Sequence, residues 1–151
     1  MPQSLIRAPF HLVFSTKNRH PYLSDPTIRQ EMHAFLGGTS KTLGCTPVIV
    51  GGMADHVHIL AHLTTTLSVA DWIKELKRAS SVWVKQRSPS LAMFSWQQGY
   101  GAFANNISVV PTILTYIQNQ ETHHATVTFQ DEMREFLRRH QITCDERYLW
   151  D

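Results

Sequence analysis

Apolar and polar residues along this chain repeat with two different periods, and the change between them separates predicted strands from predicted helices. Alternating or continuously apolar runs, rich in β-branched and aromatic residues, predict strands at residues 11–16, 47–50, 55–63 and 95–103. Apolar residues spaced three and four apart predict four helices. The first begins near Pro26, the second covers residues 67–87, the third begins at Ser108, and the fourth covers residues 129–139. Strands and helices therefore mix up to residue 103, and helices follow.

Short polar side chains mark the predicted helix starts, because they can accept hydrogen bonds from the free N–H groups of a first turn. Asp25 or Ser24 can cap the first helix, and Ser68 can cap the second. Ser108 can cap the third helix, with Pro111 in its first turn. The starts of these three helices are therefore predicted from side-chain chemistry as well as from periodicity.

Two glycine pairs interrupt the apolar pattern. Gly37-Gly38 lies inside the first predicted helix and predicts that this helix ends there or is weakened. Gly51-Gly52 follows the second predicted strand and predicts a turn, or a place where another backbone comes close.

The order of the predicted elements is β-α-β-β-α-β, followed by further helices. This order predicts an α+β, ferredoxin-like (RRM-like) fold with a central antiparallel sheet, which by itself is compatible with many functions. The length predicts one domain over residues 1–151, with a core over about residues 8–124 and a C-terminal helix and tail over 125–151. We expect the tail to pack on the body through Tyr148, Leu149 and Trp150.

Composition excludes several classes of protein. Apolar residues make up 42% of the chain and charged residues 17%, which is typical of a globular domain. The two cysteines, Cys45 and Cys144, are far apart, so neither a disulfide framework nor a cysteine-rich zinc site is expected. We expect no membrane span and no signal peptide, and hence a cytoplasmic protein. The net charge of +2 does not demand a nucleic-acid partner but leaves room for a basic face.

The third predicted strand carries two histidines separated by one residue. Successive side chains of a strand point to opposite faces, so His56 and His58 share one face while Val57 points to the other. Two neighbouring imidazoles can chelate one metal ion. The alternative is that both are polar residues on a solvated face. His62 has the same parity, and we interpret it as a polar residue near the strand end.

Basic and aromatic residues suggest a nucleic-acid surface but also have ordinary explanations. The helix over 67–87 carries basic residues opposite its apolar face, either as a phosphate-contacting stripe or as a solvated surface: Lys74, Lys77, Arg78 and Lys85. Lys17 and Arg19 lie in a polar turn after the first strand. The aromatic residues of the fourth strand can stack on bases, although core packing is their commoner use. Tyr116 and Gln120, four residues apart, are neighbours on one helix side.

Taken together in chain order, these stretches resemble one known family. Residues 55–58, Asp-His-Val-His, resemble the His-hydrophobic-His (HUH) motif on a central strand. Residues 96–103 resemble an aromatic, glycine-rich fourth strand, and residues 116–120 resemble a catalytic helix in which Gln follows Tyr by four. Residues 11–17 resemble the opening strand. The family is the HUH single-tyrosine transposases, which includes the REP-associated tyrosine transposases, and the resemblance covers about residues 10–124.

The resemblance implies an endonuclease and strand transferase, a transposase, that acts on single-stranded DNA through a 5′-phosphotyrosine intermediate. By position, Tyr116 would be the nucleophile, and His56, His58 and Gln120 would bind Mg²⁺ or Mn²⁺. The implied partner is single-stranded DNA with hairpin-bearing element ends, bound by a homodimer or a monomer. From charge placement we expect DNA contacts at Lys17, Arg19, Lys74, Lys77, Arg78 and Lys85.

Two alternatives from other classes remain open on the residues alone. One is a noncatalytic single-stranded nucleic-acid-binding module of the same topology, in which Tyr116 only packs. The other is a zinc hydrolase that uses His56, His58 and a third histidine such as His62, without Tyr116 or Gln120.

Overall fold

The computed structural model describes residues 2–151, which form four strands and six α-helices. In chain order these are β1 (Pro9–Ser15), α1 (Pro26–Thr42), β2 (Pro47–Gly52), β3 (His56–His62), α2 (Val69–Arg87), β4 (Gly101–Ala104), α3 (Val110–Gln118), α4 (Gln120–His123), α5 (Phe129–Arg139) and α6 (Glu146–Leu149). Short 3-10 turns lie at Lys17–Arg19, Pro89–Leu91 and Ile107–Val109. None of the helices described here is long and apolar enough to cross a membrane.

The strands form one sheet in the order β2-β3-β1-β4, and every neighbouring pair is antiparallel. The predicted α+β class with a central antiparallel sheet is therefore confirmed, and the elements follow the predicted β-α-β-β-α-β order. The central pair, β1 and β3, is in register with Val13 opposite His58 and Ser15 opposite His56. The two predicted histidine positions thus lie on an inner strand of the sheet, at and near its first residue.

Helices cover both faces of this sheet. One face carries Leu12, Phe14, Val57 and Ile59, which form the main core with residues of α1 and α2. The opposite face carries Val13, which packs in a second cluster with Phe103 of β4 and with Phe129 and Met133 of α5. Because side chains alternate along a strand, His56 and His58 belong to this second face, beneath α5.

The first two helices begin where their capping residues predict. Asp25 accepts a hydrogen bond from the Thr27 N–H at the start of α1, and Ser68 accepts one from the Asp71 N–H at the start of α2. At Gly37-Gly38 we expect α1 either to end or to be weakened. The expectation that it ends there is wrong, because α1 continues to Thr42. The packing of α1 on the sheet outweighs the low helix propensity of glycine.

The fourth strand is much shorter than predicted. Only Gly101–Ala104 pairs with β1, and the preceding aromatic stretch makes a single bridge between Trp96 and Thr16. Between Trp96 and β4, the side chain of Gln97 replaces part of the backbone pairing with β1. Its Oε1 accepts a hydrogen bond from the Ser15 N–H at 2.7 Å. Trp96 and Phe103 are buried, as expected for core aromatics, whereas Tyr100 is exposed.

The helix expected after Ser108 is also divided differently. Asn106, not Ser108, supplies the cap, and it caps a 3-10 turn that leads into α3 at Val110. Tyr116 lies in α3, which ends at Gln118, while Gln120 begins the short helix α4. The chain bends at Asn119, yet both side chains still reach the same site.

The C-terminal tail packs on the body, as predicted, but only in part. Leu149 and Trp150 lie against the second cluster, and the Asp151 carbonyl accepts a hydrogen bond from the Gly99 N–H at 3.0 Å. Tyr148, by contrast, is 69% exposed, so the expectation that it docks is wrong. Around the one-turn helix α6, Leu149 and Trp150 therefore point toward the body and Tyr148 points away from it.

Gly51 and Gly52 end β2 rather than forming a turn, and the predicted close approach of another backbone is confirmed. A Cβ atom at Gly51 would lie 2.9 Å from the carbonyl oxygen of Ile117, so this glycine lets α3 approach the sheet closely. Gly52 has a φ of +147°, and a Cβ atom there would collide with the His56 carbonyl oxygen. Gly51 thereby lets α3 pack closely on β2, and Gly52 lets the end of β2 lie close to β3.

This geometry predicts opposite effects for two glycine-to-alanine substitutions, measured by urea denaturation. Gly52→Ala should lower the free energy of unfolding by more than about 1 kcal/mol, because the added methyl group meets backbone at positive φ. Gly38→Ala should raise it by about 0.5–1 kcal/mol, because the glycine is inside a helix and a Cβ atom there meets nothing within 4 Å. Equal effects of the two changes would contradict this explanation.

Candidate active site

His56 and His58 both lie beneath α5 and are almost completely buried, with 1% and 0% of their surface exposed. Their ring centroids are 5.2 Å apart. The Phe129 ring of α5 stacks on His56 at 4.6 Å. The alternative of a solvated strand face therefore does not hold.

Each imidazole has a partner on its Nδ1 side. His56 Nδ1 lies 2.7 Å from Asp55 Oδ1, and since a carboxylate only accepts, the ring donates its N–H there. Burial opposes the ionisation of Asp55, but this hydrogen bond holds the pKa of its carboxyl below the ordinary value. His58 Nδ1 lies 2.8 Å from Nε2 of His11 on β1. Such partners fix the orientation of ring nitrogens, as they do around metal-binding histidines.

Tyr116 and Gln120 reach the same place from α3 and α4. The amide Oε1 of Gln120 lies 3.1 Å from His56 Nε2, and the side chain is 2% exposed. The Tyr116 ring packs edge-on against His58, with centroids 5.8 Å apart. All four residues that the family resemblance singles out therefore meet within one chain.

Glu132 of α5 occupies the centre of this group. Its Oε1 lies 2.9 Å from His58 Nε2 and 3.6 Å from His56 Nε2. Its Oε2 accepts hydrogen bonds from the Tyr116 hydroxyl and from the Gln120 amide. Burial alone would raise the pKa of this carboxyl, but hydrogen bonds from His124 and His58 hold it well below its ordinary value. The group is thus an anion surrounded by donors.

The histidine pair at the end of α4, His123 and His124, completes the surroundings of Glu132. His124 Nδ1 donates to the Val127 carbonyl at 2.7 Å, and His124 Nε2 lies 3.1 Å from Glu132 Oε2. Burial would lower the pKa of His124, but the Glu132 carboxylate raises it above the ordinary value. His123 Nε2 lies 3.1 Å from both the Tyr116 hydroxyl and Glu132 Oε2.

The hydroxyl of Tyr116 is held in its protonated form by these surroundings. Burial raises the pKa of Tyr116 above its ordinary value, and the adjacent Glu132 carboxylate raises it further. Tyr116 lines a cavity of about 310 Å³, together with His11, Thr112, His123, Glu132 and Arg139. A substrate group could therefore reach Tyr116 from this cavity.

The arrangement of lone pairs fits a divalent cation. In a neutral His56 ring that donates from Nδ1, Nε2 carries a lone pair and can only accept. This atom faces another acceptor, Gln120 Oε1, at 3.1 Å. Gln120 cannot turn its amide without losing the bond from its Nε2 to Glu132 at 3.2 Å. Adjacent ligands of an octahedral ion, each bound at about 2.1 Å, are about 3 Å apart. Atoms of His56, His58, His124 and Glu132 that could bind one ion all lie within 4.8 Å of one another.

Other predicted site residues lie elsewhere. His62 ends β3 opposite Pro9 and is outside the cluster of possible metal ligands found among the described residues. The basic residues of α2 lie on the helix layer across the sheet from His56 and His58. Arg19 lies over the Trp150 ring at 5.9 Å, so it contacts the C-terminal tail. Lys17, in the turn after β1, is exposed.

Lys77 differs from its basic neighbours on α2. Its Nζ donates to the carbonyl oxygens of Gln97 and Gly99, both at 2.8 Å, and to that of Gln98 at 3.3 Å. Burial lowers the pKa of Lys77 to about 8. The three N–H donors of Lys77 therefore hold the segment before β4, whereas Lys74 is exposed.

Sequence reasoning misses Glu132, Asp55, His11 and the part played by the histidine pair at the end of α4. For Glu132 a signal is present: it follows Phe129 by three residues and precedes Phe136 by four, which puts a carboxylate inside the apolar stripe of α5. A charge at such a position needs a partner, because burying it alone is costly. For Asp55 the signal is its position directly before the histidine motif, next to His56.

Comparisons with known proteins agree with this fold. A sequence model of the IS200-like transposase family matches residues 4–120. The structure of a proposed transposase from Deinococcus radiodurans R1 is 26% identical, with a TM-score of 0.64 over 80% of this chain and 95% of that one. A REP-associated tyrosine transposase bound to a REP hairpin is 15% identical, with a TM-score of 0.60 over 84% of this chain and 74% of that one. Among curated protein sequences, none matches significantly.

The fold and the strand with its paired histidines define the class, the HUH single-tyrosine transposases. Within that class, the chain belongs to the IS200-like transposase family, whose model covers more than three quarters of its residues. The match ends at Gln120, so α5 and Glu132 lie beyond the part of the chain that the family model describes.

The contacts of Lys77 predict a structural role that its neighbours on α2 lack. Lys77→Met keeps the aliphatic stem but removes the donors to three carbonyl groups, and should lower the free energy of unfolding by about 1–3 kcal/mol. The matched change Lys74→Met, at an exposed position, should stay within about 0.5 kcal/mol of the unmodified protein in the same urea titration. Equal stabilities of the two variants would show that the hydrogen bonds of Lys77 contribute nothing.

Proposed function

We propose that this chain is a metal-dependent endonuclease and strand transferase that cleaves single-stranded DNA through a covalent link to Tyr116. One observation carries the proposal: the Tyr116 hydroxyl and the His56–His58 pair meet at one buried carboxylate, although they come from different elements of the fold. A tyrosine that only packed would not need its hydroxyl at a cluster of potential metal ligands.

His56, His58 and Gln120 would hold a divalent cation, with imidazole nitrogens and an amide oxygen as donors. The amide oxygen suits Mg²⁺ or Mn²⁺, and a mixed nitrogen and oxygen site can also bind Mn²⁺. When bound, the ion would supply Lewis-acid polarisation of the scissile phosphate. Asp55 and His11 would keep the two rings oriented for this role.

Tyr116 would attack the phosphorus atom of the scissile phosphodiester. A bond forms between phosphorus and the phenolic oxygen, which loses its proton, while the bond from phosphorus to the 3′-oxygen breaks. The 3′-oxygen gains a proton and leaves as a free hydroxyl. The product is a 5′-phosphotyrosine, which keeps the energy of the phosphodiester bond. Another 3′-hydroxyl can therefore reverse the step and join a different strand without ATP.

The partner would be single-stranded DNA carrying hairpins, in line with the REP hairpin bound by the structural relative. The homodimer expected from the family resemblance is not needed to complete the site, because Tyr116, Gln120 and both histidines meet within one chain. Binding residues would include Lys17 and Arg19 and, on α2, Lys74, Arg78 and Lys85. Since α2 lies across the sheet from the histidines, its residues would contact DNA away from the cleaved phosphate. Lys77 would act indirectly, by holding the segment before β4.

The contribution of α2 is tested by the salt dependence of binding to a labelled single-stranded hairpin DNA. The triple change Lys74→Ala, Arg78→Ala and Lys85→Ala should weaken binding and reduce the slope of log affinity against log salt by about 0.7 for each phosphate that the variant no longer neutralises. Lys41→Ala, an exposed charge on α1, is the control and should lower the slope less. An unchanged slope in the triple variant would remove α2 from the DNA-binding surface.

The proposed nucleophile is tested by covalent trapping. Labelled single-stranded DNA from the flanks of the gene is incubated with the protein and Mn²⁺ or Mg²⁺, then run on a denaturing protein gel. The proposal predicts a metal-dependent protein–DNA adduct that is lost in Tyr116→Phe. Tyr100→Phe is the matched control, because Tyr100 is exposed and lies on a different segment, and it should keep the adduct.

Other results would favour the other classes. An adduct that survives Tyr116→Phe would assign the nucleophile to another residue. Tight metal-independent DNA binding without any adduct would favour the noncatalytic module. The zinc hydrolase draws support from the three imidazoles of His56, His58 and His124, and predicts tight Zn²⁺ binding with hydrolysis unaffected by Tyr116→Phe.

A further inference from the structure

We propose that Glu132 of α5 is itself a ligand of the divalent cation, and that its second oxygen positions the Tyr116 hydroxyl. The proposal rests on the proposed function, because it concerns the same metal site. Glu132 is 3% exposed and sits on the apolar side of α5, between Phe129 and Phe136. A carboxylate in such a position is costly unless charges or strong donors surround it.

The two oxygens of Glu132 face different partners. Oε1 points to the imidazole pair, 2.9 Å from His58 Nε2 and 3.6 Å from His56 Nε2. Those spacings bracket the distance of about 3 Å expected between adjacent ligands of one small cation. Oε1 therefore stands where a further ligand beside His56, His58 and Gln120 would stand.

The other oxygen, Oε2, gathers hydrogen-bond donors. It accepts from the Tyr116 hydroxyl, from Gln120 Nε2 at 3.2 Å and from His124 Nε2 at 3.1 Å. One carboxylate thus bridges the ligand cluster and the nucleophile. If Oε1 bound the cation, Oε2 would hold the Tyr116 hydroxyl close to that cation through its hydrogen bond. Glu132 would therefore be a positioning residue for Tyr116.

Charge and ligand chemistry favour this assignment. Two imidazoles and an amide leave the full +2 charge of an ion uncompensated in a buried site, and a carboxylate halves it. Carboxylate oxygen is also a ligand that Mg²⁺ and Mn²⁺ prefer over nitrogen. His58 can release Nε2 to an ion, because its Nδ1 faces His11, whose Nε2 can either donate or accept.

The opposing explanation is that Glu132 only fills the site and must leave before an ion enters. The two explanations predict opposite effects of neutralising the side chain. If Glu132 is a ligand, Glu132→Gln removes an anionic donor and weakens metal binding. If it is an obstacle, the same change leaves metal binding unaltered or strengthens it.

Titration calorimetry with Mn²⁺ on the full chain separates these outcomes. We expect Glu132→Gln to weaken Mn²⁺ binding by about 10-fold or more. Glu135→Gln, one turn away on α5 and paired with Arg138 and Arg139, should bind Mn²⁺ like the unmodified protein. Glu132→Asp keeps a carboxylate and should bind more tightly than Glu132→Gln, which guards against a loss caused by misfolding alone. Circular dichroism reports on the fold of each variant.

Equal or tighter Mn²⁺ binding by Glu132→Gln would overturn the ligand assignment alone and leave the proposed function intact. Equal losses in Glu132→Gln and Glu132→Asp, with both variants folded, would also count against the carboxylate as ligand. Failure of the unmodified protein to bind Mn²⁺, together with a metal-independent adduct, would overturn the metal-dependent function and this inference together.

Discussion

A single buried carboxylate organises the functional half of this structure. Glu132 lies in an apolar layer, so its charge must be met by donors, and those donors come from β3, α3, α4 and the turn that follows. Satisfying one anion therefore fixes the relative positions of elements that are distant in sequence. The same requirement draws α5 onto the second face of the sheet, where Phe129 and Met133 pack with Val13.

One face of the sheet carries the main hydrophobic core, and the other carries the candidate site. The face toward α1 and α2 is filled by aliphatic and aromatic side chains, whereas the face toward α5 places the histidine pair among aromatic rings. The C-terminal region is consequently part of the site and not an appendage to it. The family match ends at Gln120, so α5 lies outside the matched residues.

Local chemistry predicts much of this arrangement. Strand parity puts His56 and His58 on one face, and the spacing of Tyr116 and Gln120 puts both near one position, although the chain bends between them. Caps at Asp25 and Ser68 locate two helix starts, because a side-chain acceptor acts within one turn.

Three of the failures depend on distant partners. The predicted fourth strand is too long, because aromatic propensity does not reveal that the Gln97 side chain replaces part of the ladder. Lys77 looks like its basic neighbours in the sequence, since nothing local shows that three carbonyl groups lie beside it. Glu132 escapes prediction because an acidic residue on a helix is expected to point outward unless its partners are known.

Anomalous scattering from manganese would show directly which side chains bind the ion. Crystals grown or soaked with Mn²⁺ would be measured at the manganese absorption edge. We expect a strong peak on the second face of the sheet, within about 2.2 Å of His56 Nε2, His58 Nε2, Gln120 Oε1 and a Glu132 oxygen. A manganese peak bound by the two imidazoles with Glu132 turned away, or manganese bound only elsewhere in the chain, would contradict this expectation.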